Sequence, residues 1–283
     1  MTADLPPTDL PAANLPAAND PSRVAAQYAT DRHLQTRIRT HRLYSVGTEL
    51  EADVDALLAL DGSEALLDVG SGPGHFPGRL HAAGHRGRLV GADLSGGMVA
   101  AARASYGGVE FVQAGADALP FPDASFDVLT ARHMLYHVPN VPAALAEFRR
   151  VLKPGGHFLA TTNAAAYMPE LWDAVAEAAQ LEGALIPLTQ TRGGVAAAFS
   201  EINGGAWVQE AFGNARLSFS DNALVFPDPQ PALDYLESDQ EWLNLDQAQK
   251  IEGHRALLQV LNSKFTSGPW RVSKKTAFIT AER

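Results

Sequence analysis

The chain has no cysteine in its 283 residues. This absence excludes disulfide bonds, metal sites built on thiolates and any catalytic cysteine nucleophile. It is also compatible with a cytoplasmic location, which we expect. Basic residues are few as well: 22 Lys and Arg face 32 Asp and Glu, for a net charge of −10. Nucleic acids and anionic membranes are bound mainly through Lys and Arg, so we expect neither as a partner.

Long apolar runs are missing too, since no stretch approaches the ~18 apolar residues of a membrane span. Residues 1–22 contain five prolines, a tandem LPAAN at 10–14 and 15–19, and no basic residue. The composition predicts a disordered tail and argues against a signal peptide. We expect the remaining residues, 23–283, to form a single domain, although the length alone would also permit two.

Three glycines follow the apolar run at 65–69 at alternate positions, as Gly70, Gly72 and Gly74. The run predicts a buried parallel strand, and the glycines allow a sharp turn with close backbone approach to a ligand. A second apolar run ends in Asp93, nineteen residues after Gly74. A doubly wound sheet places its ribose-binding carboxylate at this position. Loop and carboxylate together predict a site for a nucleoside-containing cofactor.

The spacing narrows the choice of cofactor. The dinucleotide fingerprint G-x-G-x-x-G requires glycine where this chain has His75, so the loop does not match that fingerprint. A P-loop is excluded as well, because no Lys followed by Ser or Thr comes after the glycines. The glycine loop alone is also compatible with an ordinary tight connection between a strand and a helix.

The stretch from Phe111 to Asn163, with LPFPDASFD, ARHMLYHV and RVLKPGG in order, closely resembles the class I S-adenosylmethionine-dependent methyltransferases of type 11/25. LLDVGSGPG and GADLSGGM precede it at the spacing typical of that family. YATDRHLQTRIRTHRLYS and FSEINGG resemble one bacterial subgroup whose substrate is not established. The resemblance implies S-adenosyl-L-methionine as cofactor, S-adenosyl-L-homocysteine as product, no metal, and a small-molecule methyl acceptor.

The resemblance also implies an α/β fold: a Rossmann-like, doubly wound, seven-stranded and mostly parallel sheet, with helices on both faces and an antiparallel last strand. Residue patterns agree, because strands predicted at 65–69, 88–93, 109–114, 126–131 and 157–162 alternate with helices. Around this cofactor-binding core (65–163) we expect three further regions. They are N-terminal capping helices at 23–60, an insertion near the pocket at 164–205, and late strands at 206–283.

The resemblance assigns most cofactor contacts. Asp93 is expected to bind both ribose hydroxyls, although it could instead cap the following helix. Relatives often carry an acidic residue for the adenine amino group where this chain has Gly115. Backbone groups around Ala116, or a shifted Asp117, would replace it. The full set expected to bind cofactor is Asp68, Gly70, Ser71, Gly72, Gly74, Asp93, Leu94, Met98, Ala116, Asp117 and Arg132.

His133 follows the fourth predicted strand, at the edge of the sheet where ligands bind, and is the candidate general base because a histidine pKa lies near neutrality. It could equally form part of the pocket wall. Residues expected to line or cover the acceptor pocket are Tyr28, Arg37, His41, Tyr136 and Asn203. One arginine of the N-terminal capping helices would bind the carboxylate of the cofactor or an acidic substrate. Most other charged side chains of these helices would be exposed to solvent.

Two other functional classes stay open. One is a nicotinamide-dependent Rossmann oxidoreductase, which the failed fingerprint disfavours, and the other is a non-catalytic regulatory protein that binds the cofactor. Either a monomer or a homodimer is compatible with the sequence.

Overall fold

A computed structural model describes residues 31–47, 50–189 and 198–283. Within them, eight strands form one sheet in the order β4-β3-β2-β5-β6-β8-β7-β1. Strands β2 to β6 pair in parallel, and the last strand, β8, lies antiparallel between β6 and β7. The strands are β1 (Ser45–Val46), β2 (Leu66–Val69), β3 (Leu89–Asp93), β4 (Glu110–Gln113), β5 (Phe126–Arg132), β6 (Leu152–Asn163), β7 (Arg216–Phe226) and β8 (Trp270–Glu282).

The predicted fold class is confirmed, including the antiparallel last strand, but the count of seven strands is one short. The additional strand, β1, has two residues and pairs with Ala223 and Leu224 of β7. It covers the edge of β7, whose backbone groups would otherwise lack partners there. Such a short strand has no alternating pattern, so it could not be predicted from the residues.

Helices lie on both faces of the sheet. They are α1 (Asp31–Tyr44), α2 (Leu50–Leu58), α3 (His75–Ala82), α4 (Gly96–Ser105), α5 (Val141–Val151), α6 (Pro169–Leu181), α7 (Glu201–Phe212), α8 (Pro229–Glu237), α9 (Gln240–Leu243) and α10 (Gln247–Lys264). None of the helices in the described segments is long and apolar enough to cross a membrane.

Three apolar clusters hold these layers together. One packs α5 and α7 on the sheet around Phe126, Phe148 and Phe158, whose side chains are fully buried. A second packs α2, α3 and α4 on the opposite face. The third joins α6, α8 and α10 to β7 and β8, and it fixes the part of the molecule that follows the parallel strands.

Several boundaries differ from those predicted. Strand β6 begins at Leu152 instead of residue 157, because Leu152 pairs with Phe126 before the register shifts. Gly155, at φ +74°, belongs to the irregular stretch between the two registers. Helix α7 runs through Gly205, so the expected boundary between the insertion and the late strands falls inside a helix. The predicted tail at 1–22 lies outside the described residues.

Candidate functional site

The glycine loop after β2 is hydrogen-bonded to the neighbouring strand, β3. The backbone N–H groups of Gly70 and Ser71 donate to the carbonyl of Ala92, at 2.7 and 3.0 Å. Gly74 has φ +81°, and a Cβ there would lie 2.6 Å from the ring of Phe111. By contrast, a Cβ at Gly72 would meet nothing within 4 Å. The loop is therefore packed against the protein at Gly74 and open at Gly72, the arrangement that a ligand lying along the backbone requires.

Asp93 ends β3 beside this loop. Its Oδ2 accepts the N–H of Gly72 at 2.8 Å, and its Oδ1 accepts the N–H of Ser95 at 2.8 Å. Burial raises the pKa of Asp93, while these two N–H groups act to lower it. Ser95 is the residue that caps α4, since its side chain accepts the N–H of Met98. The alternative role of Asp93 as the helix cap is thus taken by Ser95.

Asp68 lies on β2 with its side chain almost fully buried, and its Oδ1 accepts a 2.6 Å hydrogen bond from the Thr130 hydroxyl. Burial raises the pKa of Asp68 to about 6, against the opposing effects of Arg132 and Thr130. The nearby carboxylate of Glu51 raises it further. Two carboxylates therefore share this end of β2, and they favour a ligand with a positive charge.

A cavity of about 330 Å³ opens at the same place. Arg132 forms one wall, with its guanidinium 4.3 Å from the centre of the Phe76 ring and paired with Glu51. Glu51 also pairs with Arg79 at 3.2 Å, so helix α2 is tied to both arginines. The cavity is lined by Glu51, Asp68, Gly70, Ser71, His75, Phe76, Arg79, Arg132 and His133.

Glu51, His75, Phe76 and Arg79 were not among the predicted site residues. Glu51 lies 81 residues before Arg132, and no local pattern indicates that α2 brings the two together. A larger cavity of about 450 Å³ lies between α5 and α7 and contains none of the predicted residues.

The predicted adenine contacts are spread around the tip of β3. Leu94 is half-exposed and Met98 is buried on α4. Ala116 is buried, whereas Asp117 is exposed and its Oδ1 lies 3.0 Å from the position that a Cβ would take at Gly115. The adenine contact, by backbone groups around Ala116 or by Asp117, stays a prediction.

His133 follows β5 directly and lines the cavity. Its backbone is in the left-handed region at φ +50°, and its N–H donates to the carbonyl of Thr161 at 2.9 Å. Burial lowers the pKa of His133 to about 4, with Arg132 and Lys274 acting in the same direction. The expectation of a pKa near neutrality is wrong, because the imidazolium form would be desolvated beside two cations.

Beyond His133, a second group of polar side chains lies around His41, and we call this group the acceptor recess because of its position next to His133. His41 of α1 lies 3.5 Å from the Tyr167 hydroxyl and makes an edge-to-face contact with the Tyr235 ring. The Nζ of Lys274 donates to the Ser45 hydroxyl at 2.9 Å. The members of the group act on one another electrostatically, and His133, which lines the cavity, acts on His41; they are Arg37, His41, Tyr136, His137, Tyr167, Tyr235 and Lys274.

The other two residues predicted for the acceptor pocket are Tyr28 and Asn203. Tyr28 lies outside the described residues. The Oδ1 of Asn203 accepts the backbone N–H of Ser200 at 2.9 Å, and the expected contact of this residue with substrate stays a prediction. Ser200 and Asn203 cap helix α7 reciprocally, and this cap explains the residue types at both positions.

Comparison with known proteins agrees with this geometry. Residues 67–160 match the family model described as a methyltransferase domain. A malonyl-[acyl-carrier protein] O-methyltransferase of Serratia marcescens is 34% identical over 168 residues, which are 56% of this chain and 64% of that protein. The ubiquinone/menaquinone biosynthesis C-methyltransferase UbiE of Shewanella sp. (strain ANA-3) is 40% identical over 101 residues, 33% of this chain and 40% of that one. The chain thus spans less than two thirds of either relative.

Solved structures share the fold. A Bacillus halodurans protein assigned to the methyltransferases has a TM-score of 0.56 at 24% identity, covering 82% of this chain and 97% of that one. The [4+2]-cyclase SpnF has a TM-score of 0.56 at 18% identity, covering 96% and 99%. The fold and the glycine loop define a class I methyltransferase architecture. Residues 67–160 match the methyltransferase domain, and the chain is similar to S-adenosylmethionine-dependent methyltransferases in these residues and in its fold.

Proposed function

We propose that the protein transfers a methyl group from S-adenosyl-L-methionine to a small molecule. The observation that carries the proposal is the hydrogen bond from the Gly72 N–H to the carboxylate of Asp93, which joins the open glycine loop to the tip of β3. Each oxygen of Asp93 accepts one backbone N–H, so each retains a lone pair for a ribose hydroxyl. This carboxylate is oriented before any ligand arrives.

The residues around the loop fit the rest of this cofactor. The Ser71 hydroxyl is buried and has no hydrogen-bond partner among the described residues, so a ligand can provide one. Arg132 would bind the carboxylate of the methionine part, while Asp68 and Glu51 would face its ammonium group. Leu94, Met98 and the backbone of Ala116 would hold the adenine. The cavity volume lies within the ~300–1,000 Å³ typical of ligand sites.

When bound, the cofactor supplies a methyl group on a sulfonium sulfur; the acceptor atom bonds to that carbon as the C–S bond breaks, and the sulfur keeps the electron pair as a neutral thioether. The protein's own residues mainly align the reactants and exclude water. Glu51 and Arg132 close the cavity on the α2 side, and His133 occupies the boundary with the acceptor recess.

His133 is our candidate for contact with the acceptor. With its pKa at about 4 it is uncharged at neutral pH and can accept a hydrogen bond, but it is a weak base. We therefore propose that it orients the acceptor and that any proton lost from the acceptor leaves without a strong protein base. The small-molecule acceptor, the cytoplasmic location, the lack of a nucleic-acid or membrane partner, and a monomeric or homodimeric state all belong to this proposal.

A second possibility is that this fold supports a reaction other than methyl transfer, or binds the cofactor without catalysis. The structural similarity to a [4+2]-cyclase concerns the fold alone, and a fold does not determine a reaction. A non-catalytic protein that only binds the cofactor would retain Asp93 and the glycine loop equally well.

Incubation with S-adenosylmethionine labelled in the methyl group and a small-molecule metabolite extract tests the proposal. We expect label in an extract component that depends on the protein and is lost in Asp93→Ala. Cofactor binding without labelled product would support the non-catalytic alternative. Label that persists fully in Asp93→Ala would contradict the assigned site.

A further inference from the structure

Glu51 connects the two arginines that border the cofactor cavity. Its Oε1 pairs with Arg132, and its Oε2 accepts a hydrogen bond from Arg79 at 3.2 Å. Both guanidinium groups lie against the buried ring of Phe76, that of Arg132 at 4.3 Å and that of Arg79 at 5.4 Å from its centre. One carboxylate and two cations therefore meet beside one aromatic ring, and all four side chains line the cavity.

The helix that carries Glu51 is fixed by its apolar face. Val54 of α2 is fully buried, and Leu50 and Leu58 pack against the same apolar cluster. The position of the Glu51 backbone is therefore set by the packing of α2 on the sheet. Only side-chain torsions have to change for the Glu51 carboxylate to contact a different partner at the edge of the cavity.

Arg79 and Arg132 depend on Glu51 to different degrees. Arg79 has a second carboxylate, since Asp55 accepts two hydrogen bonds from it at 2.7 and 2.9 Å. Arg132 pairs with Glu51 alone within the described ranges, and its Nε is buried there without a hydrogen-bond partner. A ligand carboxylate that contacts the guanidinium of Arg132 at two nitrogens would satisfy this donor. If Glu51 turns towards a ligand, Arg79 still keeps Asp55.

A ligand carboxylate on Arg132 lies close to Glu51, because Glu51 contacts the same guanidinium. Two carboxylates at one cation repel each other, and partial burial strengthens the repulsion. An ammonium group beside the ligand carboxylate removes it, since Glu51 can pair with that group. Asp68, the other carboxylate that lines the cavity, is less available: it is almost fully buried, and its Oδ1 accepts the Thr130 hydroxyl at 2.6 Å.

We propose that Glu51 makes the cavity selective for a ligand that carries both charges of an amino acid. Arg132 binds the α-carboxylate and Glu51 binds the α-ammonium group, so the ligand's pair of opposite charges matches the protein's own pair. A nucleoside that carries the carboxylate without the ammonium group is disfavoured by Glu51. The proposal rests on the proposed function and names a residue that determines specificity for its cofactor.

Calorimetry with three thioether nucleosides tests this proposal. S-adenosylhomocysteine carries both charges, its deamino analogue lacks the ammonium group, and 5′-methylthioadenosine lacks both. We expect the native protein to bind S-adenosylhomocysteine at least about tenfold more tightly than the deamino analogue, the effect of one hydrogen bond to a charged group. Glu51→Gln should lose most of that preference. This variant should also bind the deamino analogue more tightly than the native protein does, because the repulsion between the two carboxylates is removed.

The chain offers a matched control one turn further along the same helix. Asp55→Asn removes an exposed carboxylate that pairs with Arg79 and not with Arg132, and it should keep the native preference. The affinity for 5′-methylthioadenosine should be equal in the native protein and in Glu51→Gln, because this nucleoside places no charge beside Glu51. Equal affinity also shows that the variant is folded.

The outcomes separate this inference from the proposed function. No preference in the native protein, or a preference that survives in Glu51→Gln, would overturn the inference. A deamino analogue that binds Glu51→Gln no better than the native protein would overturn it too. An equal loss of affinity for all three nucleosides in Glu51→Gln would assign Glu51 a structural role only and overturn it as well. Failure of the native protein to bind S-adenosylhomocysteine would instead contradict the proposed function.

Discussion

Asp93 owes its proposed role to where its two oxygens are held. One accepts the N–H of Gly72 in the glycine loop and the other accepts the N–H of Ser95 at the start of α4, so the carboxylate is held beside the loop. The sequence was enough to select this residue, because an acidic residue at the end of a second strand is a local pattern. That Ser95, and not Asp93, caps α4 could not be predicted, because either of these two residues could have capped the helix.

Replacing Asp93 by Ala should weaken S-adenosylhomocysteine binding by roughly 1.5–3 kcal/mol, the range for hydrogen bonds to a charged group. Asp117→Ala is the matched control, because it removes an exposed carboxylate from the neighbouring loop. Calorimetric titration of both variants measures the difference. A larger loss in Asp117→Ala would mean that the loop around Ala116 binds adenine in a different register.

His133 can be tested without disturbing its backbone. Its φ of +50° lies in the region that Asn tolerates better than other non-glycine residues, so His133→Asn is a milder change than His133→Ala. We expect a loss of turnover of no more than about tenfold with unchanged cofactor affinity, since a weak base contributes little. A loss of ~10²–10⁴-fold would identify His133 as the general base after all.

The site residues that could not be predicted from the sequence make contacts with residues far away in the chain. Glu51 reaches Arg132 across 81 residues, and Lys274 reaches Ser45 across 229. Their positions depend on how α2 and β8 pack against the sheet, which no local spacing encodes. The glycine loop, by contrast, lies within a single strand-to-helix connection, so it can be recognised from a short stretch of sequence.

At the scale of elements, prediction succeeded where strands alternate with helices. Strands β2 to β5 were placed within one residue or so, because each is an apolar run bounded by turn residues. Helix α10 was missed: its buried stripe contains Gly253 and Ala256 as well as Leu257, among many charged positions, so its apolar periodicity is weak. Strand β8 begins at Trp270, six residues before the apolar stretch that indicated it.

Helix α1 packs against α8 and β7 and carries Arg37 and His41 into the acceptor recess. Deleting residues 1–43 should therefore reduce turnover strongly, because the recess loses a wall and a cation and admits water. Cofactor affinity should fall less, since Arg37 and His41 do not line the cofactor cavity. Steady-state kinetics and calorimetry on the truncated protein measure the two effects.

Deleting only residues 1–21 is the control for that truncation. This polar, proline-rich stretch has little apolar surface to bury, and its loss should leave turnover and cofactor affinity unchanged. Full activity in the longer deletion would exclude α1 from the acceptor site.

At the scale of the whole molecule, three partly buried histidines make stability depend on pH. The pKa values of His133 and His137 are lowered to about 4, and that of His41 to about 3, from an ordinary 6.5. An unfolded chain takes up these protons below pH 6.5 while the folded chain does not. The free energy of unfolding should therefore fall as pH drops from 6.5 towards 4, at up to ~1.4 kcal/mol per pH unit for each histidine.

Asp68 acts in the opposite direction. Its pKa is raised to about 6, so the stabilisation that its protonated form provides is complete below about 4 and is lost as pH rises through 6. Three histidines outweigh one carboxyl group, and the net result should be lower stability at pH 5.5 than at pH 7.5. Urea unfolding at both values measures it. Equal or higher stability at pH 5.5 would contradict the burial of these histidines.

The central claim is that the glycine loop and Asp93 form a site for S-adenosylmethionine. Calorimetric titration of the purified protein with S-adenosylhomocysteine and, separately, with NAD tests it most directly. We predict saturable binding of one S-adenosylhomocysteine per chain, weakened in Asp93→Ala, and no binding of NAD, whose pyrophosphate fingerprint the loop lacks. Binding of NAD, or S-adenosylhomocysteine affinity that is unaffected in Asp93→Ala, would contradict it.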